Sequence, residues 1–289
     1  MSCEVRPIDA TLGAVVTGVR LAAMSDADWR AVEDAFHAHA VLIFPGQHLR
    51  REEQAAFGRR FGAFDSLVAQ TGGTVPISNL KPDGNLREAD DPILGILRGN
   101  EGWHTDSSYM PIAAKASVLS AEVVPTRGGQ TEWADMRDAY DALTPETKRR
   151  IENLAAHHSL VHSQNAIGEK SPGSFRYGYE GHAPPLRPLV KRHPVTGRRS
   201  LFIGRHAFGI PGLDESESKR LLDDLLAFAC QPPRVFGHRW QAGDVAIWDN
   251  RCVLHRARPW DPAEPRVMHH TRIAGEPETE SGLASDIVP

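Results

Sequence analysis

The sequence predicts a mainly β protein, an antiparallel sandwich or barrel with helices packed on its outside. Three observations carry that reading. Short β-rich apolar runs, bounded by Gly, Pro or polar turns, are spread over the whole chain with irregular spacers. They show no regular alternation with helices, and neither GxGxxG nor GxxxxGK[ST] occurs, so a doubly wound nucleotide fold is disfavoured. The 289 residues, 40% of them hydrophobic, suffice for a continuous core. Without repeat, low-complexity tract or linker, they are expected to form one domain over residues 1–289.

Each element follows from local chemistry. Ser25 with Asp28 three positions on forms a capping-box start, and Trp29, Val32, Phe36 and Ala40 recur at helical spacing, so residues 25–40 are an amphipathic helix. VLIFP at 41–45 reads as a strand. A second helix runs from Arg51 to Phe61, with Ala55, Phe57 and Phe61 apolar, and stops at Gly62. VPIS at 75–78 and ASVLSAEVV at 116–124 are strands. Thr144 as N-cap and Pro145 at the first helical position open a helix through about Leu154. SLFIG at 200–204 is a strand. Asp214 and Glu217 cap a helix to Cys230 that crowds Leu221, Leu222, Leu225, Leu226 and Phe228 on one side. DVAIW at 244–248 and the alternating RVMHHTRIAG at 266–275 complete the strands.

Charge and composition narrow the function. Lys and Arg number 33 against 37 Asp and Glu, a net of −4, without the basic excess of a nucleic-acid-binding domain. Cys3, Cys230 and Cys252 are too scattered for a disulfide framework or a CxxC knuckle; they read as packing residues in a reducing cytoplasm. No apolar run approaches the ~20 residues of a membrane span. The N-terminus, broken by Pro7, Asp9 and Gly13, does not read as a signal peptide. The expected partner is a small-molecule substrate, with neither nucleic acid nor membrane, and the expected assembly is a homo-oligomer. Fourteen histidines raise the expectation of a metal or acid–base site.

The sharpest local feature is Gly102-Trp103-His104-Thr105-Asp106. In an extended segment residues two apart share a face, so His104 and Asp106 can reach one ion. The best third ligand is His255, in the WDNRCVLH stretch after the strand DVAIW. Two histidines and one carboxylate leave three octahedral positions open, the arrangement of non-haem Fe(II) oxygenases, where a chelating cosubstrate and O2 bind. Arg266, eleven residues after His255, starts the next strand, where a neighbouring antiparallel strand can aim it at the metal pocket to grip a carboxylate.

At this point the chain resembles the Fe(II)/2-oxoglutarate dioxygenases of the taurine dioxygenase and dichlorophenoxyacetate dioxygenase group. The resemblance spans nearly the whole chain: ATLGAVVTGVRL, VLIFPGQ, RFG, WHTDSSY, GGQTEWADM, TPETKRRIENL, HPVTGRRSLFIG, AIWDNRCVLHRA and PRVMHHTRI. It implies a double-stranded β-helix, or jelly roll, with helices packed outside. It also implies His104, Asp106 and His255 as iron ligands, with Arg266 and the Thr131 hydroxyl on the distal carboxylate of 2-oxoglutarate, and O2 as co-reactant. Within the group, VPISNLKPDG, HSLVHSQ and LFIGRHAFGIPG look most like the bacterial aryloxyalkanoate dioxygenases that act on phenoxypropionates, the (S)-type in particular. Cleavage would then follow hydroxylation of the ether-bearing carbon, releasing a phenol and a 2-oxo acid with succinate and CO2.

One departure bears on the substrate. Taurine dioxygenase carries a second arginine four residues after its cosubstrate arginine, for the substrate sulfonate, and here that position is His270. The histidine that enzyme supplies after its FG segment is missing too. Arg205, in the GRHAFG stretch, is therefore the expected anion contact, with His206 nearby and Leu80 as a wall for the aromatic ring; the bland alternative for Arg205 is an exposed loop cation. Two other functions remain open: a taurine or alkylsulfate dioxygenase, and a non-catalytic jelly-roll binding protein. The neighbouring pairs His157–His158 and His269–His270 point to opposite strand faces and cannot chelate together. His270 is left to line the pocket, Asp249 and Asn250 to fix the turn before His255, and Gly128-Gly129 to turn toward Thr131.

Overall fold

The computed structural model describes residues 3–169, 177–178 and 181–283. In chain order the strands are β1 (Glu4–Pro7), β2 (Ala14–Thr17), β3 (Val41–Phe44), β4 (Val75–Ser78), β5 (Ala114–Val123), β6 (Thr131–Asp135), β7 (Ala155–His158), β8 (Leu186–Pro188), β9 (Val190–Arg192), β10 (Arg199–Leu201), β11 (Ala207–Phe208), β12 (Val235–His238), β13 (Val245–Asp249), β14 (Val253–Ala257) and β15 (Val267–Ala274). The α-helices are α1 (Asp26–His39), α2 (Arg51–Arg59), α3 (Ser66–Gln70), α4 (Pro92–Gly99), α5 (Met136–Asp141), α6 (Pro145–Ile151), α7 (Leu160–Asn165), α8 (Glu215–Ala229) and α9 (Pro277–Glu280).

A seven-stranded sheet in the order β1-β2-β3-β13-β5-β15-β4 packs against a second sheet, β12-β6-β14, the two layers of a jelly roll. All pairings are antiparallel except β2 with β3. The continuous apolar runs of β3 and β13 follow from burial on both faces. Leu42, Phe44, Val245 and Ile247 pack with Val32 and Phe36 of α1 and Phe57 of α2. Val41, Ile43, Ala246 and Trp248 face Trp133 and Val253 of the second sheet. The outer face of that sheet, through Ala134 and Leu254, is covered by Leu221, Leu222 and Leu225 of α8.

Ser25, Thr144 and Asp214 cap α1, α6 and α8 as their chemistry predicts. Several boundaries are shorter than expected. α2 ends at Arg59, before Gly62 turns the chain at φ +147, and α6 ends at Ile151 because β7 begins at Ala155. Of SLFIG only the first two residues are strand, and Phe202 to Gly204 leave the ladder. Phe228 is 36% exposed, under Arg234, so the buried stripe of α8 ends at Leu225 and Ala229. The short strands β6 and β14 escape a pattern reading, because TEWAD and VLHRA carry charged residues where the site and the sheet edge need them.

Candidate active site

His104 and His255 are joined by a β-bridge, with His104 N–H to His255 O at 3.0 Å and His255 N–H to His104 O at 2.7 Å. This bridge extends the second sheet by one short segment and sets the two rings 4.1 Å apart. Asp106 follows in a turn. Its Oδ2 accepts from the Ser117 hydroxyl at 2.6 Å, and its N–H donates to Asn250 Oδ1. Ligand atoms of His104, Asp106 and His255 lie within 4.8 Å of one another, all three residues being buried. The Nδ1 of His104 sits 2.8 Å from Gly102 O, which makes it the N–H and leaves the Nε2 lone pair for an ion. Burial drives both imidazoles toward the neutral form a metal ligand requires. Burial pushes the Asp106 carboxyl up, but the facing His270 and His255 overcome it and hold the carboxyl well below its usual value.

On the opposite wall stands Arg266, 3% exposed, immediately before β15. β15 belongs to the large sheet and β14 to the second one, so Arg266 reaches the pocket across the sandwich and not from a strand paired beside His255. Its Nη2 donates to Gly129 O at 3.2 Å, its Nε has no hydrogen-bond partner, and burial lowers its pKa to about 10. A buried cation in this state is built to receive an anion. Thr131 stands beside it on β6, and its Oγ1 accepts from the Trp240 indole N–H at 3.0 Å, which frees the hydroxyl proton to donate elsewhere. Gly128 and Gly129 turn the chain at φ +76 and +67, and a Cβ on Gly129 would press on Arg266 Nε at 3.1 Å.

These groups open onto one cavity of about 200 Å³. Ile77, Ile93, Ile96 and Leu97 make it apolar on one side, with Ile93 to Leu97 supplied by α4. Arg205 and His206 line it as well. The Arg205 N–H bonds Trp103 O at 2.8 Å, which anchors the loop after β10 beside His104. Its guanidinium is neither solvent-exposed nor uncommitted: Nη1 donates to Gly99 O, and Nη2 to Ser163 O and Gln164 Oε1, bracing α4 against α7. His206 Nδ1 is 2.8 Å from Ser163 Oγ, and its ring meets Tyr109. Leu80 is not in the cavity lining. β4 ends at Ser78, and Leu80 is carried off into a bridge with Leu86, so Ile77 takes the wall position.

A second group of metal-competent side chains, His37, His193 and Asp249, is a different object. Both Asp249 oxygens already accept from Arg251, at 2.8 and 2.6 Å, and that buried cation excludes another. Asn250 does more than shape its turn. It accepts from Thr105 and the Trp248 indole and donates to Ser117 Oγ, tying the His104–Asp106 segment to the large sheet.

The chain matches the family described as Taurine catabolism dioxygenase TauD, TfdA over residues 4–273. It belongs to that family. It is 54% identical over 287 residues to the (S)-phenoxypropionate/α-ketoglutarate dioxygenase of Sphingobium herbicidovorans, covering 97% of this chain and 98% of that one. The enzyme of the same description from Delftia acidovorans is 52% identical over 284 residues, 96% of this chain and 97% of the relative. Among solved structures, AAD-2 in complex with Mn(II) and N-oxalylglycine superposes with a TM-score of 0.89 at 38% identity, over 99% of this chain and 100% of that one. The protein is accordingly a TauD/TfdA-type α-ketoglutarate-dependent dioxygenase with the jelly-roll fold. No helix among the described residues is long and apolar enough to cross a membrane.

Around this dioxygenase site Trp248, Tyr109, Tyr177 and Arg272 escaped the sequence reading. Trp248 stacks on His270, whose Nε2 is 3.3 Å from Asp106 Oδ2, and Tyr109, Tyr177 and Arg272 close the far end. Arg272 was readable in principle, since it is two positions beyond His270 on one strand. His206 and His158 are wholly buried, and burial first, then neighbouring cations, keeps both neutral far below the usual imidazole range. The unfolded chain protonates both near pH 6.5 while the folded chain does not. Stability is therefore expected to fall as pH drops below 6.5, by up to about 1.4 kcal/mol per pH unit for each histidine. Neither ring nitrogen of His158 has a partner, so His158→Leu should flatten the urea-midpoint profile between pH 6.5 and 5. An unchanged slope would remove His158 from this account.

Proposed function

We propose that this enzyme hydroxylates the ether-bearing carbon of an aryloxyalkanoate of the phenoxypropionate type, using Fe(II), 2-oxoglutarate and O2. The observation that carries the reading is the near-full-length identity to two (S)-phenoxypropionate dioxygenases, joined to a cavity with an open His–Asp–His face, two buried arginines and an apolar wall. His104, Asp106 and His255 would hold the iron, and their neutral imidazoles and single carboxylate suit an ion that keeps open positions. The unpartnered Arg266 Nε and the free Thr131 hydroxyl proton suit the distal carboxylate of 2-oxoglutarate. When bound, the ion and cosubstrate supply a two-electron oxidation that puts one atom of O2 into succinate, with loss of CO2, and the other into a C–H bond.

The protein's own task is placement. Arg266 and Thr131 fix the cosubstrate at one end, while Ser117 and Asn250 hold the Asp106 carboxylate in one orientation. Ile77, Ile93, Ile96 and Leu97 receive the aromatic ring and exclude water. Arg205 and His206 shape the wall that turns the ether-bearing carbon toward the His–Asp–His face. The hydroxylated product is a hemiketal, which collapses to a phenol and, from a phenoxypropionate, pyruvate.

The test is anaerobic reconstitution with Fe(II) and 2-oxoglutarate, admission of air and a substrate panel. (S)-2-Phenoxypropionate should give phenol, pyruvate and succinate in equal amounts. Cleavage of taurine or an alkyl sulfate with no aryloxyalkanoate turned over would reject the substrate class.

A further inference from the structure

We infer that Arg272 is the residue that binds the substrate carboxylate, an inference that rests on the aryloxyalkanoate reading and sharpens it. Among the described residues five arginines are buried: Arg137, Arg187, Arg251, Arg266 and Arg272. Three are saturated by the protein. Arg137 and Arg251 grip Asp135 and Asp249 through two nitrogens each, and Arg187 donates to backbone carbonyls of Ser108, Met110 and Glu280. The other two line the cavity: the Arg266 Nε has no hydrogen-bond partner, and Arg272 is held through its Nε, 3.1 Å from Asp65 Oδ2, where the saturated arginines each use two or more nitrogens. One of them, Arg266, is accounted for by the cosubstrate.

Arg272 is 7% exposed and lies at the opposite end of the same cavity, six residues along β15. At about 3.3 Å per residue the Cα atoms of residues 266 and 272 are roughly 20 Å apart, and His270, whose Nε2 is 3.3 Å from Asp106 Oδ2, lies between them on the chain. Two anions held at the two ends would therefore approach the His–Asp–His face from opposite sides. Arg272 stands two residues along the strand from His270, the position to which the resemblance assigns a second arginine in taurine dioxygenase. An i to i+2 shift keeps it on the same sheet face.

The charged and titratable groups around Arg272 agree with an anion seat. Asp65 is its ionic partner, Nε to Oδ2 at 3.1 Å, but that carboxylate is shared. Its Oδ1 caps α3 through the Val68 N–H, and its Oδ2 accepts from the Tyr177 hydroxyl at 2.7 Å. The Tyr177 ring lies 4.6 Å from the guanidinium carbon, and Tyr109 stands beside it, its hydroxyl kept protonated by burial at a pKa of about 12. Arg205, by contrast, spends its Nη donors on Gly99, Ser163 and Gln164. Leu67 and Ile93, in the same lining, leave room for an apolar body next to the charged end.

The experiment compares (S)-2-phenoxypropionate with its neutral carboxamide as ligands, by calorimetry on protein loaded with Mn(II) and 2-oxoglutarate under anaerobic conditions. Wild-type protein should prefer the carboxylate by at least about thirty-fold, which is ~2 kcal/mol at 1.4 kcal/mol per tenfold. Arg272→Gln should bring that ratio close to one, and Arg272→Lys should restore part of it. Arg205→Gln should weaken both ligands alike and keep the ratio. Because the ratio is internal to each protein, a reduced folded fraction does not move it. A ratio that survives Arg272→Gln, or that vanishes instead in Arg205→Gln, overturns the inference while leaving the substrate class standing. Wild-type protein that binds neither ligand but does bind taurine or an alkyl sulfate removes both readings.

Discussion

A His255→Ala protein is expected to lose iron binding and, with it, 2-oxoglutarate decarboxylation. Among the described residues the group that could hold the ion is His104, Asp106 and His255, and His270, whose Nε2 is 3.3 Å from Asp106 Oδ2, is not part of it. Loss of an outer partner alone costs such sites about 10–100-fold in affinity, so removal of a direct ligand should exceed a hundred-fold. The two measurements are Fe(II) affinity by anaerobic titration and succinate formation. The β-bridge between residues 104 and 255 is made by backbone atoms and survives the substitution, so circular dichroism should report an intact fold. Unchanged decarboxylation would sink the ligand assignment.

For Arg266→Ala the expected result is a severe rise in the apparent KM for 2-oxoglutarate. The buried Arg266 guanidinium bonds Gly129 O and lies over Trp260, and its unpartnered Nε suits it to receive an anion. Removing one partner of a buried charge-assisted pair costs about 2–5 kcal/mol, or roughly 30- to 4,000-fold. Thr131→Val should move the same constant less, because it removes one neutral hydroxyl donor at about 1 kcal/mol. If Arg266→Ala changed only the affinity for the aryl substrate, the two carboxylate ends of the cavity would have to be exchanged, with Arg272 on the cosubstrate.

Residues close in sequence, or repeated with the period of one element, could be read directly. The HxD spacing, the caps at Ser25, Thr144 and Asp214, and the apolar runs of β3 and β13 are such signals, because each depends on a backbone period or a local hydrogen bond. His255 and Arg266 were picked out by their places at the ends of strand-like runs, and the family resemblance added Thr131, which no local period links to His104. Folding then settled what depends on residues far apart in the chain. It brought Arg266 in from the opposite sheet, spent the Arg205 donors on α4 and α7, and carried Leu80 out of the cavity. It also left Arg272 facing the cavity, tethered at its Nε by Asp65. A side chain's identity says which bonds it can make; whether those bonds are already made is set by distant neighbours, 41 positions away for Arg205 with Gln164 and 217 for Gln54 with Thr271. The type of chemistry is therefore written in the residues, and the seat of the substrate in their packing.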